Sequence, residues 1–200
     1  MKRLAIIGSA LSGGAGQIIE AIANQDRIRV VLILDRDVNA FGKGIHEVPV
    51  VGSTDDLLRK WNDSEFDVAV VAIGGDLAER KRLFEYLQIN NIPLINIIDS
   101  SVKLGLNVKI GEGNVILNNS YLGNDVRLGN NNYILNQCSI QHDTIIEDHN
   151  YLATNVTIGA KVKIGRLNRF GIKSVVETRA IVEDEQNLKS GYIYENRNKS

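Results

Sequence analysis

The chain has 200 residues and a formal net charge of −1, with a pI near 6.3. That length suits one large or two small domains. The near-neutral balance, with no basic stripe, argues against a nucleic acid partner. The single cysteine, Cys138, rules out an intrachain disulfide framework and fits a reducing compartment.

Met1–Arg3 leads straight into an apolar strand, and no long apolar segment follows. This predicts a cytoplasmic protein without membrane insertion. Arg3–Gly8 (RLAIIG) reads as a buried strand ending in glycine. The spacing of Ile18, Ile19, Ile22 and Ala23 predicts a helix from Gly13 to about Asn24. A second buried strand, Arg29–Leu34, ends at Asp35. A short strand around Val48–Val51 and a capped segment from Ser53 follow, with Thr54, Asp55 and Asp56 near the helix start. Phe66–Ile73 is a further apolar strand, closed by Gly74-Gly75. A helix from about Leu77 to Asn90 and a strand at Leu94–Ile97 complete this part. Strands alternating with helices predict a parallel sheet covered by helices. Residues 1–97 thus read as a Rossmann-like α/β domain.

The loop Gly8–Gln17 lies between a strand and a helix, where free N–H groups and the helix dipole attract phosphate. Glycines let the backbone approach that phosphate. Gly8, Ser12, Gly13 and Gly14 are therefore candidate nucleotide contacts. Asp35 and Arg36 stand where such a domain reads a ribose or base, and Gly74 borders the same crevice. The loop lacks the G-x-G-x-x-G spacing, so a nicotinamide dinucleotide is unsupported. The alternative is structural: the glycines only make tight turns and Asp35 only caps a strand.

From Ile98 to Val182 a bulky apolar residue recurs at every sixth position, as in Ile134, Ile140, Ile146, Leu152, Ile158 and Ile164. Two residues earlier stands a short side chain, from Val108 through Asn132, Cys138 and Asn150 to Ala180. Residues i and i−2 of a strand share a face, so both columns point inward. A period of six marks a hexapeptide β-helix, and residues 98–200 read as an all-β domain. Asn114, Asn132, Asn150 and Asn168 recur every eighteen residues. Three hexads therefore make one turn, and the asparagines are expected to stack as a ladder. Gly105, Gly111, Gly123, Gly129, Gly159, Gly165 and Gly171 follow apolar positions and read as corner formers.

His142 comes two residues after the inward Ile140, beyond the flat strand, and Asp143 is its neighbour. A carboxylate beside an imidazole can hold its tautomer and raise its basicity, as a general base requires. Gly159-Ala160 lies one turn above, where a backbone N–H could polarise a carbonyl. Tyr151 and His149 fall near the next corner. His46 reads as loop structure and Cys138 as core filler. Three scattered histidines and one inward cysteine offer no metal-ligand spacing, so no metal is expected.

These residues resemble a family: the bacterial sugar O-acyltransferases of the sialic acid O-acetyltransferase type, which also include nucleotide-sugar N-acetyltransferases. The resemblance rests on Ile6-Ile7-Gly8 with its glycine loop, Leu34-Asp35, Val48-Pro49-Val50-Val51-Gly52 and Ala72-Ile73-Gly74. In the repeats it rests on the segment Asn136-Gln137-Cys138-Ser139-Ile140-Gln141-His142-Asp143. It implies a left-handed β-helix, a homotrimer, and acetyl-CoA as acyl donor in a cleft between coils. It implies His142 as general base with Asp143 as its helper, and donor contacts from Gly159, Ala160, Gly171 and Lys173. Tyr151 stands where the family carries a second histidine near the acetyl group. The first domain would hold the nucleotide of a sugar substrate, with a free sugar as the other option. The function implied is an acetyl-CoA-dependent sugar N- or O-acetyltransferase; the alternative is a nucleotide-binding scaffold without turnover.

Overall fold

The computed structural model describes residues 1–8, 11 and 13–195. They form two compact units, one ending at Ile97 and the other beginning at Ile98.

The first unit is built on parallel strands β1 (Lys2–Ile7), β2 (Ile28–Leu34) and, later in the chain, a third with the order β2, β1, third. A small antiparallel hairpin of β3 (Gly44–Ile45) and β4 (Val48–Pro49) intervenes before that third strand, β5 (Val68–Val71). The central β1 is paired on both edges, and its consecutive residues Leu4–Ile7 are all buried, so both of its faces are covered. That is why these strands read as continuous apolar runs. Helices α1 (Gly14–Ile22), α2 (Leu57–Asn62) and α3 (Leu77–Ile89) complete the unit. On one side of the sheet, Ala5, Ile7, Leu34 and Val71 pack with Leu57, Leu83, Phe84 and Leu87. The predicted Rossmann-like α/β class is thus the observed one.

Two predicted strands are reduced. Leu94 makes only an isolated bridge to Ala69, and the next strand is Ile97–Ile98. Val50 likewise bridges Ile33 beyond the end of β4. The hairpin was not foreseen from the sequence. Its turn is His46 and Glu47, both at positive φ (45° and 68°), as a two-residue hairpin loop requires.

The second unit is a parallel β-helix of two-residue strands running from Ile97–Ile98 to Ile193–Tyr194. They stack into three faces. The first contains Tyr133–Ile134 and Tyr151–Leu152, the second Ser139–Ile140 and Thr157–Ile158, and the third Ile145–Ile146 and Lys163–Ile164. The sixth-position column is the core, with Ile134, Ile140, Leu152 and Ile158 fully buried. The small column is buried as well from Asn114 to Ala180, with Val108 partly buried. The asparagine ladder forms, but through the backbone: the N–H groups of Asn132, Asn150, Asn168 and Gln186 donate to the Oδ1 one turn below at 2.7–2.9 Å.

The corner glycines have a different role from the one expected. Gly105, Gly123, Gly159 and Gly171 do not adopt positive φ. A Cβ on Gly159 would lie 2.5 Å from the Thr178 nitrogen, and one on Gly171 2.4 Å from the Ser190 nitrogen. These glycines admit the next turn of backbone. The left-handed residue sits two positions later and is seldom glycine: Asp125, Asp143, Lys161 and Arg179 along one edge have φ between 59° and 64°.

Asn150 Nδ2 donates to the Gly165 carbonyl at 2.9 Å, while its Oδ1 accepts from Asn168 N–H at 2.9 Å. Asn150→Ala strands both buried groups. It is expected to lower stability by about 1–3 kcal/mol, read as a lower urea midpoint with an unchanged slope.

Candidate active site

The first unit holds a cleft of about 270 Å³ at the carboxyl end of its sheet, where parallel sheets take ligands. Gly8, Asp35 and Arg36, all expected from the sequence, line it. Gly74 does not, but its neighbour Gly75 does. Gly13 and Gly14 lie at the start of α1, with Gly13 as N-cap at φ 91°; Ser12 lies outside the described residues. No side chain caps α1.

Asp37, Thr54, Asp76 and Glu79 line the cleft without having been expected. Each also has a local role, which hides it in the sequence. Asp37 Oδ1 caps the short turn at Asn39, and Asp76 Oδ1 accepts from Glu79 N–H as N-cap of α3 at 3.0 Å. Thr54 opens a helical turn capped by Ser53. Glu79 pairs with both arms of Arg82 at 2.7 and 2.8 Å, which holds its carboxyl below the usual range. Asp35 is buried and accepts from Asp37 N–H at 2.9 Å. Gly8 has φ +87°, and a Cβ there would meet Ile73 Cγ1 at 2.5 Å.

On the β-helix, His142 and Asp143 occupy the edge between the second and third faces. Their turn is pinned from both sides: Asp143 N–H donates to the Asn124 carbonyl, and Lys161 N–H donates to the His142 carbonyl, each at 3.0 Å. His142 Nδ1 lies 2.8 Å from Asp143 Oδ2, and both side chains are about half exposed (54% and 47%). The left-handed backbone at Asp143 (φ 59°) carries this contact between sequence neighbours. Gly123, one turn below, is required here, because a Cβ on it would stand 2.7 Å from the His142 nitrogen.

Gly159 and Ala160 stack above. Their N–H groups differ: that of Gly159 donates to the Val176 carbonyl at 2.8 Å, while that of Ala160 meets no acceptor among the described residues. The equivalent N–H groups of Leu106, Glu112 and Arg166 are capped by an Asn or Asp one turn up.

Other expected residues lie elsewhere. Tyr151 is not at a corner. It stands on the first face, its ring 6.0 Å from that of Tyr133 and the Arg169 guanidinium 4.8 Å from its centroid. A residue just before an inward position belongs to the flat strand, so within one chain Tyr151 is apart from the His142 edge. His149 does occupy a corner, buried, with Nδ1 2.9 Å from Asn131 Nδ2. Gly171 and Lys173 lie on the edge between the first and second faces. Cys138 is buried, its Sγ 3.1 Å from the Ala153 carbonyl, and burial pushes its thiol up to about 12. Among the described residues no cluster of His, Cys, Asp and Glu could hold a metal, and no helix is long and apolar enough to cross a membrane.

Residues 3–87 match the family described as the PglD N-terminal domain. Residues 107–142 and 125–160 match the bacterial transferase hexapeptide family of six repeats. No curated protein matches the chain in sequence. Among solved structures, a histidine-to-asparagine variant of perosamine N-acetyltransferase from Caulobacter crescentus, in complex with CoA and GDP-perosamine, is similar. It is 21% identical with a TM-score of 0.86, over 94% of this chain and 87% of the other. The acetyltransferase domain of PglB from Neisseria gonorrhoeae, in complex with acetyl coenzyme A, is 19% identical at a TM-score of 0.64, over 96% and 95%. WeeI from Acinetobacter baumannii is 16% identical at 0.61, over 96% and 95%. These likenesses give the fold, including the left-handed β-helix of the hexapeptide transferases.

Two outcomes follow from the local geometry. Gly8→Ala places a side chain at positive φ against Ile73, and is expected to cost about 1–3 kcal/mol, seen as a lower melting temperature. Cys138 is expected to resist iodoacetamide at pH 8 in the native protein and to react once urea unfolds it, with alkylation followed by mass spectrometry.

Proposed function

We propose that this chain, whose residues 3–87 match the PglD N-terminal domain and whose repeats match the bacterial hexapeptide transferases, is an acetyl-CoA-dependent acetyltransferase that acylates an amino or hydroxyl group of a nucleotide-linked sugar. The observation that carries this is the His142–Asp143 contact on an exposed edge, with an open N–H at Ala160 one turn above. The neighbours solved with CoA, acetyl-CoA and GDP-perosamine support the choice of donor and acceptor.

The roles follow from the chemistry. In this reading Asp143 Oδ2 accepts a hydrogen bond from His142 Nδ1–H, which leaves the lone pair on Nε2. Nε2 takes the proton of the sugar amine or hydroxyl as it attacks the thioester carbonyl carbon. A C–N or C–O bond forms, the C–S bond breaks, and the proton passes from Nε2 to the departing thiolate to give CoA thiol. The Ala160 N–H is aimed at the oxygen that gains charge during attack. Gly159, whose N–H is already engaged, serves as backbone clearance. The donor lies in a cleft between coils of a homotrimer, to which Gly171, Lys173 and Tyr151 belong from their own faces. The cleft of the first unit receives the nucleotide: Asp35 and Thr54 suit hydroxyl donors of a ribose, and the loop from Gly8 to Gly14 suits phosphate.

The test is release of free CoA thiol with nucleotide-linked amino sugars. His142→Ala is expected to lose about 10²–10⁴-fold in rate, and Asp143→Asn to fall between the two. Equal rates for wild type and His142→Ala would remove the histidine from the reaction. Binding of nucleotide without thiol release above background would identify a scaffold instead.

A further inference from the structure

Helix α3 carries one residue that departs from its own pattern. Arg80, Leu83, Phe84 and Leu87 make up the buried side of the helix, at the spacing of an amphipathic stripe. Three are apolar, whereas the fourth is an arginine with 0% exposure. A buried guanidinium is costly, and its hydrogen bonds must offset that cost. Its Nη1 donates to the Val71 carbonyl at 3.0 Å and to the Ile73 carbonyl at 3.1 Å. Its backbone N–H donates to the Asp76 carbonyl at 3.0 Å.

The side chain therefore holds the start of the segment 73–76, while the first backbone bond of the helix, which any residue at position 80 would make, closes its end. That segment contains Gly74-Gly75, which has little conformational preference of its own. It is also a wall of the first unit's cleft, through Ile73, Gly75 and Asp76. Ile73 in turn is the group that a Cβ on Gly8 would strike. Movement of Ile73 would displace that wall relative to the first glycine of the nucleotide loop.

The geometry points to Arg80 as a positioning residue for the nucleotide pocket: by holding the Val71 and Ile73 carbonyls it fixes the wall against which the nucleotide is read. This rests on the nucleotide reading of the cleft. A leucine or methionine would fill the stripe with far less desolvation, but offers no donor to the two carbonyls. A lysine keeps the charge but ends in a compact, strongly hydrated ammonium on a flexible stem, which does not fix the position of one N–H-bearing nitrogen between two carbonyls as a planar guanidinium does.

The experiment uses the full chain with Arg80→Lys and Arg80→Met. GDP and UDP are titrated separately by calorimetry, acetyl-CoA is titrated as a control on the other unit, and hydrogen exchange is followed across residues 73–76. Both variants are expected to keep wild-type acetyl-CoA affinity, to lose roughly tenfold to a hundredfold in nucleotide affinity, and to exchange faster across that segment. Nucleotide affinity within about twofold of wild type in either folded variant overturns the proposal. So does loss of folding in both variants, which makes Arg80 a folding residue only. A wild type that binds neither nucleotide overturns the nucleotide reading itself. Unchanged exchange in a protein that does bind nucleotide overturns the clamp alone.

Discussion

The β-helix depends on each turn of backbone lying directly on the one below, at the spacing of neighbouring strands, about 4.8 Å. At that separation the residue after an inward position can face the main chain of the next turn, and where it does it is glycine. A Cβ there would come within 2.4–2.7 Å of backbone at Gly105, Gly123, Gly159 and Gly171. The left-handed bend then comes two residues further on, with no glycine needed, as Leu167 (φ 57°) and Arg179 (φ 64°) demonstrate. Between these two constrained positions lies one residue per corner whose side chain is free to project. His142 is such a residue, and Asp143 is the left-handed residue that follows it. The contact between the two is a consequence of the corner geometry.

The coil was legible in the sequence because its constraint repeats. An inward column of Ile and Leu and a small column containing four asparagines at a spacing of eighteen leave no other register. The purpose of the corner glycines was not legible. Glycine serves equally for positive φ and for close approach, and a residue name does not say which. Only the coordinates separate Gly159, which makes room for Thr178, from Gly113, which does adopt positive φ (66°). Tyr151 was assigned to the wrong place for a related reason. In a hexad a shift of one or two residues moves a side chain from an edge to a flat face.

In the first unit the expected residues were those with a glycine or strand-end signal, and Gly8, Asp35 and Arg36 do line the cleft. Asp37, Thr54, Asp76 and Glu79 were not distinguishable, because each also serves a cap, a turn or a helical ion pair in its own segment. Local hydrogen bonds engage the side chains of Asp37, Asp76 and Glu79 within their own segments. What gathers them is tertiary: β1, β2 and β5 end at the same side of the sheet, and α3 begins there. Arg80 did leave a signal, a charged residue on an apolar stripe, but a stripe of one helix does not say which carbonyls the guanidinium will find.

The two units solve different problems. In the proposed reaction, holding a nucleotide requires loops that can be shaped, and the first unit has such loops at its strand ends, with glycines at Gly8, Gly74 and Gly75. The proton transfer and oxyanion contact proposed for the second unit require fixed distances, which suit stacked turns whose heights are set by main-chain hydrogen bonds. The amides of Gly159 and Ala160 illustrate how fine that control is. Two consecutive N–H groups differ: that of Gly159 donates to the Val176 carbonyl, and that of Ala160 meets no acceptor among the described residues. The residue after a corner glycine can thus offer a donor at an edge where no Asn or Asp one turn above covers it, as Asn124 covers Leu106 and Asp184 covers Arg166. With Ala160 above the histidine and Thr178 above Ala160, that cover is withdrawn on the edge where the imidazole stands.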